Sequence, residues 1–366
     1  MFCYLLVDGL RARLGDWLAR EWLLAGALLG LAVSSLWLQR LPRFSSDELE
    51  VLFLLWLLFA AVKGLEKTGL MAWVSRYLES GGRVSLKLVL ITFFLAALVT
   101  NDVALVVVVP LTLAMNTNRK GALVMLEAFA ANAGSALTPV GNPQNLYLYW
   151  HYGLEPLAFV QAILPFAAVF LVVLAAAAWV VETEPAATLA GEVGVVERAA
   201  FAYVFLLAAL VLVVLRLLPF QVAYLVAAGL FAFGRRALRV DYGLLLTFLV
   251  FFGLVDNVKY VLAPFIRQAG HVFLSAALSS QVIGNVPAAL LLAEFTENWR
   301  ALLWGVSVGG FGSLIASFAN LIAYRFYVLH QEDPAKRRLF TVRFLGYGYA
   351  LFALGLALYF ALPAGR

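Results

Sequence analysis

The stretch SALTPVGNPQNLYL, Ser135 to Leu148, decides how the chain has to be read. Apolar sequence flanks it on both sides, ALVMLEAFAANAG over 122–134 and LYLYW over 146–150. Thr138, Gly141, Asn142, Gln144 and Asn145, with two prolines, stand where an apolar helix would otherwise run on. In lipid an unpaired backbone N–H or C=O costs several kcal/mol, so such a break survives only where protein, water or a bound ion satisfies it. A helix broken at membrane depth is a device of transport proteins, which place solute and ion sites at such points.

The composition agrees with a lipid solvent. Of 366 residues, 64% are apolar and 13% charged, and mean hydropathy is +0.94, whereas soluble domains run nearer half apolar and a quarter charged. A hydrocarbon core about 30 Å thick takes roughly 20 residues per helical span. The length therefore accommodates about nine or ten spans and no sizeable soluble domain. The net charge of +5 comes from short Lys/Arg clusters between apolar runs, not from one basic face. The bilayer is the expected partner, and nucleic acid is not. Cys3 is the single cysteine, so no intramolecular disulfide forms. The opening MFCYLLVDGLRARLGDW reads as an amphipathic lead-in and not as a signal peptide.

Uninterrupted apolar runs lie at about 22–38, 50–66, 157–181, 199–217, 219–234, 243–262 and 341–362. Four more are interrupted. Stretch 86–115 breaks at Thr100-Asn101-Asp102, and 121–150 breaks over Thr138–Asn145. Stretch 271–295 breaks at Gly284-Asn285-Val286-Pro287, and 301–329 breaks from Gly312-Ser313 to Asn320. The landmarks recur in order: Asn101-Asp-Val-Ala and Asn285-Val-Pro-Ala lie 184 residues apart, and Gly134-Ser135 and Gly312-Ser313 lie 178 apart. Each is followed by an Asn-Leu pair, at Asn145-Leu146 and Asn320-Leu321. Upstream, Lys67 can be laid on Lys259. Such order indicates duplication.

Taking 86–115 and 271–295 as re-entrant hairpins, and the other two as broken spans, the chain crosses nine times. Arg11/Arg13/Arg20, Arg76/Arg83/Lys87, Arg119/Lys120, Arg235/Arg236/Arg239 and Lys336/Arg337/Arg338/Arg343 then share one side. By the positive-inside rule that side is cytoplasmic, with the N-terminus in and the C-terminus out. Two spans precede the first hairpin and seven precede the second, so the hairpins enter from opposite faces. The expected fold is all-α and polytopic, with two inverted repeats at 1–181 and 199–366 joined by a polar cytoplasmic linker at 182–198. The first repeat is one helix shorter before its hairpin.

The breaks supply the candidate binding groups. They are Thr100, Asn101, Asp102, Gly134, Ser135, Thr138, Gly141, Asn142 and Asn145 in the first half, with Gln144 beside them. The second half supplies Gly284, Asn285, Gly312, Ser313, Ser317 and Asn320, with Ser279 and Ser280. Half-helix N-termini offer N–H donors to an anion and C-termini offer carbonyls to a cation. Asp102 is a carboxylate within the membrane, a functional candidate by default. It suits a Na+ site with Asn101 and Ser135, since Na+ takes oxygen ligands; it equally suits a proton carrier, or an N-cap of the returning helix.

The segments SALTPVGNPQNLYL and TNDVALVVVVPL, with SSQVIGNVPAALLL and GSLIASFANLIA in the second half, resemble the ion transporter superfamily. The resemblance runs from about residue 50 onward. It is strongest toward the arsenite permease and sodium/proton antiporter branch and the small citrate-transporter-like anion permeases. It implies a scaffold and a transport domain, a homodimer, elevator-like movement, and solute and coupling ion held at hairpin tips and broken helices. Carboxylate carriers of the superfamily carry Ser-Asn-Thr at the tips, where this chain has Thr100-Asn101-Asp102 and Ile283-Gly284-Asn285.

Other groups fit blander roles. Asp256 and Lys259 lie near a span end, where they pair with each other or snorkel. Arg325 neutralises an anion or marks the cytoplasmic side, and Glu127 pairs with a basic group. His151, His271 and His330 stand apart from one another. Gly26/Gly30 and Gly305/Gly309 match a small-residue packing pattern. No Walker A run, metal-ligand set or nucleophile elbow is present, so neither an ATP-driven pump nor an enzyme is expected, and no cofactor beyond a coupling Na+ or H+. The expected activity is secondary transport of a small anion or oxyanion in a bacterial inner membrane. A Na+/H+ antiporter of the same fold and a passive channel are the alternatives.

Overall fold

The computed structural model describes residues 22–66, 68–70, 82–115, 117, 119–181, 196–233, 237–238, 240, 242–262 and 271–362. The N-terminal lead-in with Cys3, Lys67, Arg76, the cluster Arg235/Arg236/Arg239 and all but the last three residues of the 182–198 linker lie outside them. The described residues form helices and no strand. In order they are α1 (Trp22–Leu38), α2 (Ser46–Glu66), α3 (Val84–Leu98), α4 (Asn101–Ala114), α5 (Lys120–Ser135) and α6 (Pro143–His151). Then come α7 (Pro156–Val180), α8 (Ala199–Val214), α9 (Gln221–Phe233), α10 (Tyr242–Leu262), α11 (Val272–Ile283) and α12 (Asn285–Ala293). The last are α13 (Trp299–Gly309), a 3-10 turn (Leu314–Ala316), α14 (Phe318–His330) and α15 (Pro334–Ala361).

Every interrupted stretch is two helices. Among the described residues three helices, α7, α10 and α15, are long and apolar enough to cross a bilayer by length and composition. The runs at 22–38, 199–217 and 219–234 give the shorter apolar helices α1, α8 and α9. At its start α2 carries a capping box: Ser45 Oγ accepts from Glu48 N at 3.2 Å and Glu48 Oε2 accepts from Ser45 N at 2.7 Å. The last helix begins at Pro334, seven residues before the apolar run at 341. Asp333 caps it, accepting from Ala335 N at 2.8 Å, and Pro334 supplies a preset φ in the first turn. Lys336, Arg337 and Arg338 therefore ride on its opening turns.

By contacts the chain divides into residues 1–53 with 241–267, and residues 54–240 with 268–366. In the first unit α1 packs on α10, with Gly30 against the Leu254 methyls. Asn257 donates to Ser34 Oγ at 3.0 Å and Ser35 Oγ at 2.8 Å. Asp256 takes an ion pair from Arg40 and the N–H of Arg43 at 2.9 Å. Asp256 thus meets a long-range cation, because the turn after α1 brings a guanidinium to the carboxylate.

In the second unit α3 and α4 form one helical hairpin and α11 and α12 another, each packed on a broken helix, α5–α6 or α13–α14. The packing then crosses over. The returning arm α4 lies on α14, and the returning arm α12 lies on α6. Aromatic rings fix the second break. Phe311 stacks on Phe170 at 4.7 Å and lies 6.2 Å from both Phe129 and Phe166, while Trp304 Nε1 donates to Ala162 O at 2.7 Å. Gly305 and Gly309 sit against α11, where a Cβ would come within 2.6 Å of Ala276 and 2.5 Å of Ser280.

Gly134 shows how tightly hairpin and broken helix join. A Cβ there would stand 2.0 Å from the carbonyl oxygen of Phe93, a backbone atom that cannot rotate away. Gly134→Ala should force α3 and α5 apart and cost about 3 kcal/mol, the upper range for overpacking. The thermal midpoint of the detergent-purified variant checks this, and a midpoint equal to the parent's would show that the helices separate without penalty.

Candidate functional site

Each break leaves carbonyls at the end of one half-helix and N–H groups at the start of the next. Asparagines answer for both. In the first break Asn142 caps α6, its Oδ1 accepting from Asn145 N at 2.9 Å. The Asn145 amide donates to the carbonyls of Ser135 at 3.1 Å, Ala136 at 3.2 Å and Thr138 at 3.0 Å. In the second break Ser317 caps α14, and the Asn320 amide donates to Gly310 O at 3.0 Å and Ser313 O at 3.1 Å. Asn145 and Asn320 are fully buried. A buried carboxamide that closes several carbonyls turns a costly break into a rigid one.

Hydrogen bonds also tie each hairpin tip to its break. Thr138 Oγ1 donates to Ala97 O at 2.5 Å, and Asn101 N donates to Gly141 O at 2.9 Å. In the other half Ser313 Oγ donates to Gln281 O at 2.9 Å. The Gln281 carboxamide adds three more bonds, to Gly309 O at 2.8 Å, to Phe311 O at 2.9 Å and from Ser313 N at 2.9 Å. The two arrangements superpose in sequence. Hairpin positions correspond at 184 residues, Ala97 with Gln281 and Asn101 with Asn285. Broken-helix positions correspond at 175, namely Ser135 with Gly310, Thr138 with Ser313, Asn142 with Ser317 and Asn145 with Asn320. The hairpin offset is the one read from the sequence. The break offset is 175 and not 178, because the Asn145 amide takes the carbonyls of Ser135 and Thr138 as the Asn320 amide takes those of Gly310 and Ser313, a register that sets Gly134 with Gly309.

The tips differ in detail. Thr100 caps α4, its Oγ1 accepting from Val103 N at 3.4 Å, so the cap is Thr100 and not Asp102. Asp102 occupies the first turn, 6% exposed, where the helix dipole favours a negative charge. Its N–H donates to Asn101 Oδ1 at 2.9 Å. At the second tip Gly284 alone separates α11 from α12, with φ +90, a conformation that residues with a Cβ rarely adopt. Gly312 also has positive φ, with Gln281 Oε1 filling the place of a Cβ, and the place of a Cβ on Gly141 is held by Ser135 O. Asn285 follows the second tip, buried, its Nδ2 lying 3.2 Å from where a Cβ on Gly310 would stand.

One residue joins the halves. Asn132, in α5, donates to Asn320 Oδ1 at 2.8 Å and accepts from Ser317 Oγ at 2.8 Å. Weaker contacts of 3.5 Å run from Asn132 Nδ2 to Gly310 O and from Asn101 Nδ2 to Asn132 Oδ1. Ser135 Oγ donates to Asn132 O at 3.1 Å and accepts from Asn142 Nδ2 at 3.2 Å. Thus Asn101, Ser135, Asn142, Ser317 and Asn320 converge on Asn132 in one buried polar knot, with Asp102 next to Asn101 in the chain.

With this geometry in place, the comparison with known proteins is specific. The family model described as citrate transporter, CitMHS, matches residues 17–309. The chain belongs to the citrate transporter family. It is therefore an integral membrane protein of a transporter family. It is 33% identical over 294 residues to an uncharacterized transporter of Methanocaldococcus jannaschii, covering 77% of this chain and 82% of that protein. It is 34% identical over 297 residues to the inner membrane protein YbiR of Escherichia coli, covering 73% of this chain and 77% of that protein. A silicon efflux transporter of Oryza sativa subsp. japonica is 32% identical over 151 residues, covering 38% of this chain and 31% of that protein.

For a member of the citrate transporter family, the remaining sequence candidates separate cleanly. Ser279 donates to Ser275 O at 2.6 Å and Ser280 to Ala276 O at 2.7 Å, so both hydroxyls turn back into α11. Arg325 is exposed on α14. Glu127 is fully buried and takes the Thr112 hydroxyl in place of the expected basic partner. Asn132 and Gln281 went unnoticed in the sequence, although each is a lone carboxamide three residues before a break landmark, Ser135 and Gly284. Polar residues inside apolar helices are the signal that flags them.

Proposed function

We propose that the chain is a secondary active carrier that moves a small anion or oxyanion by alternating access, coupled to Na+ or H+. The observation that supports it is the Asn132 knot, which ties two broken helices and a hairpin tip at one buried point. Two like arrangements with crossed-over packing suit inverted repeats rocking against each other around a central site. A channel has no need of such a pair. The names of the family and of the rice relative, citrate and silicon, both point to oxygen-rich solutes that neutral carboxamides, hydroxyls and half-helix N-termini can hold. On this reading the chain crosses nine times with the N-terminus in the cytoplasm of a bacterium, the hairpins are re-entrant, and an elevator-like homodimer is the working form.

The coupling ion belongs at Asp102 on this reading. For Na+, the three oxygens first nominated do not fit equally. Asn101 Oδ1 is engaged by Asp102 N, and Ser135 Oγ by Asn142 and Asn132. The Asp102 carboxylate is the one charged group among them, and it suits H+ as well as Na+. The same carboxylate favours the second reading, a Na+/H+ antiporter in which both ions compete for Asp102. Purified protein in liposomes distinguishes the two. Labelled citrate or silicate should accumulate under an inward Na+ or H+ gradient, and Asp102→Asn should lower gradient-driven accumulation by about tenfold or more, the cost of losing a charge contact of about 1.5–3 kcal/mol. Cation-driven pH change without anion uptake would establish the antiporter. Unsaturable conductance in place of both would sink the carrier.

A further inference from the structure

The correspondence between the two breaks holds for the N-caps, the tip-to-break hydroxyls and the carbonyl-closing amides, and apart from the Gln281 carboxamide it fails at the bonds that Asn132 makes. In the second break Asn320 Oδ1 accepts from Asn132 at 2.8 Å. The corresponding acceptor in the first break is Asn145 Oδ1, and the residue corresponding to Asn132 at the 175-residue offset is Ser307. Serine is too short to reproduce the carboxamide bridge. Both ends are then stranded. Among the described residues Asn145 Oδ1 and Ser307 Oγ are buried and have no hydrogen-bond partner, in residues 0% and 6% exposed. Their helices, α6 and α13, pack on one another.

Neither orphan is an idle group. Asn145 uses its N–H groups on three carbonyls, which fixes its Oδ1 as an acceptor awaiting a donor. A helical serine ordinarily turns its hydroxyl onto the carbonyl one turn back, as Ser280 does at 2.7 Å and Thr92 does at 2.7 Å. Ser307 does not. A buried polar atom left unmade costs about 1–3 kcal/mol, so two together are retained for a use.

We infer that Asn145 and Ser307 form a buried subsite that takes one hydroxyl group of the transported solute. The hydroxyl donates to Asn145 Oδ1 and accepts from Ser307 Oγ, which satisfies both orphans at once. A deprotonated oxygen has no proton to give Asn145 Oδ1. A Na+ ion needs several oxygens, and the Ser135, Ala136 and Thr138 carbonyls nearby already face the Asn145 amide. The inference rests on the carrier reading and narrows its substrate class to solutes bearing at least one O–H.

Two arms test it separately from that reading. The first uses no transport. Ser307→Asn restores the bridge that Asn132 makes to Asn320, and should raise the thermal midpoint of the purified protein by several degrees. Ser307→Ala, which removes a hydroxyl with no partner, should leave it within about a degree. A midpoint lowered by Ser307→Asn and by Ser307→Ala alike would overturn the subsite, since Ser307 would then be holding protein and not ligand. Orthosilicic acid is the probe for ligand itself: it should raise the midpoint of the parent protein and not that of Ser307→Asn, and equal shifts or none would count against the proposal. In the second arm labelled citrate uptake is competed with citrate and with tricarballylate, which is citrate without its hydroxyl. The parent should prefer citrate by about tenfold or more, as expected of a site built to bond a hydroxyl, and Ser307→Ala should erase the preference. A preference that survives in Ser307→Ala would overturn the proposal. A parent that takes up neither solute would count against the carrier reading, and the orthosilicic acid arm would then decide the subsite alone.

Discussion

Asn145→Asp should be nearly as damaging as Asn145→Ala. The two residues differ in volume, yet both lack the N–H donors that Asn145 gives to the carbonyls of Ser135, Ala136 and Thr138. The Thr138 carbonyl keeps the Gly141 N–H at 3.3 Å, while those of Ser135 and Ala136 lose the Asn145 donor. Each buried carbonyl left without a donor costs about 1–3 kcal/mol, so either variant should lose about 2–6 kcal/mol, a large share of the stability of a typical domain. The aspartate adds a carboxylate facing three carbonyl oxygens. Yield and monodispersity after detergent extraction, followed by the thermal midpoint, provide the measurement. An Asn145→Asp protein as stable as the parent would mean that the first break is held by packing, and that the three hydrogen bonds are incidental.

Asn132 should behave differently. It stands in one broken helix, and its side chain touches the other and one tip, but it closes no break by itself. Asn132→Ala strands Asn320 Oδ1 and takes the acceptor from Ser317 Oγ, which still accepts from Ala319 N at 3.2 Å. The expected cost in stability is about 1–3 kcal/mol, which a folded membrane protein tolerates. Uptake should fall by about a hundredfold, the effect of misplacing groups at a site that must be preorganised. Asn132→Asp keeps the acceptor for Ser317 and loses the donor for Asn320, so it should lie between the parent and Asn132→Ala. Uptake and thermal midpoint measured on the same preparations separate the two effects. Proportional losses in both would reduce Asn132 to a structural tie.

The hairpins and breaks were legible because glycine, proline and asparagine crowd together where lipid demands unbroken helix. Thr100–Asp102, Thr138–Asn145, Gly284–Asn285 and Gly312–Asn320 announce themselves by that contrast. The register within the breaks was not legible. Apolar sequence is so repetitive that sliding by three residues pairs one Gly-Ser with another, and only the shared hydrogen bonds place Gly134 opposite Gly309. The partners of lone polar residues were hidden for a related reason. Asn132 meets residues some 180 positions on, and Asp256 meets Arg40, 216 positions back. Nearness in sequence pointed Asp256 toward Lys259 instead. Ser307 was invisible for the opposite reason, since its interest lies in what an asparagine would have done there.

The Gln281 carboxamide makes the two tips unequal latches. Separating the second tip from its break gives up the four bonds described between Gln281 and residues 309, 311 and 313. The first tip has Ala97 in the corresponding place, and the bonds described there are two, from Thr138 Oγ1 and Asn101 N. At a net value of about 1 kcal/mol per hydrogen bond the imbalance is about 2 kcal/mol, or roughly thirtyfold in an equilibrium. On the alternating-access proposal, the two tips would then open from their breaks with unequal free energies, and one orientation would be favoured at rest. On that proposal a single position, alanine at the first tip and glutamine at the second, would set the bias.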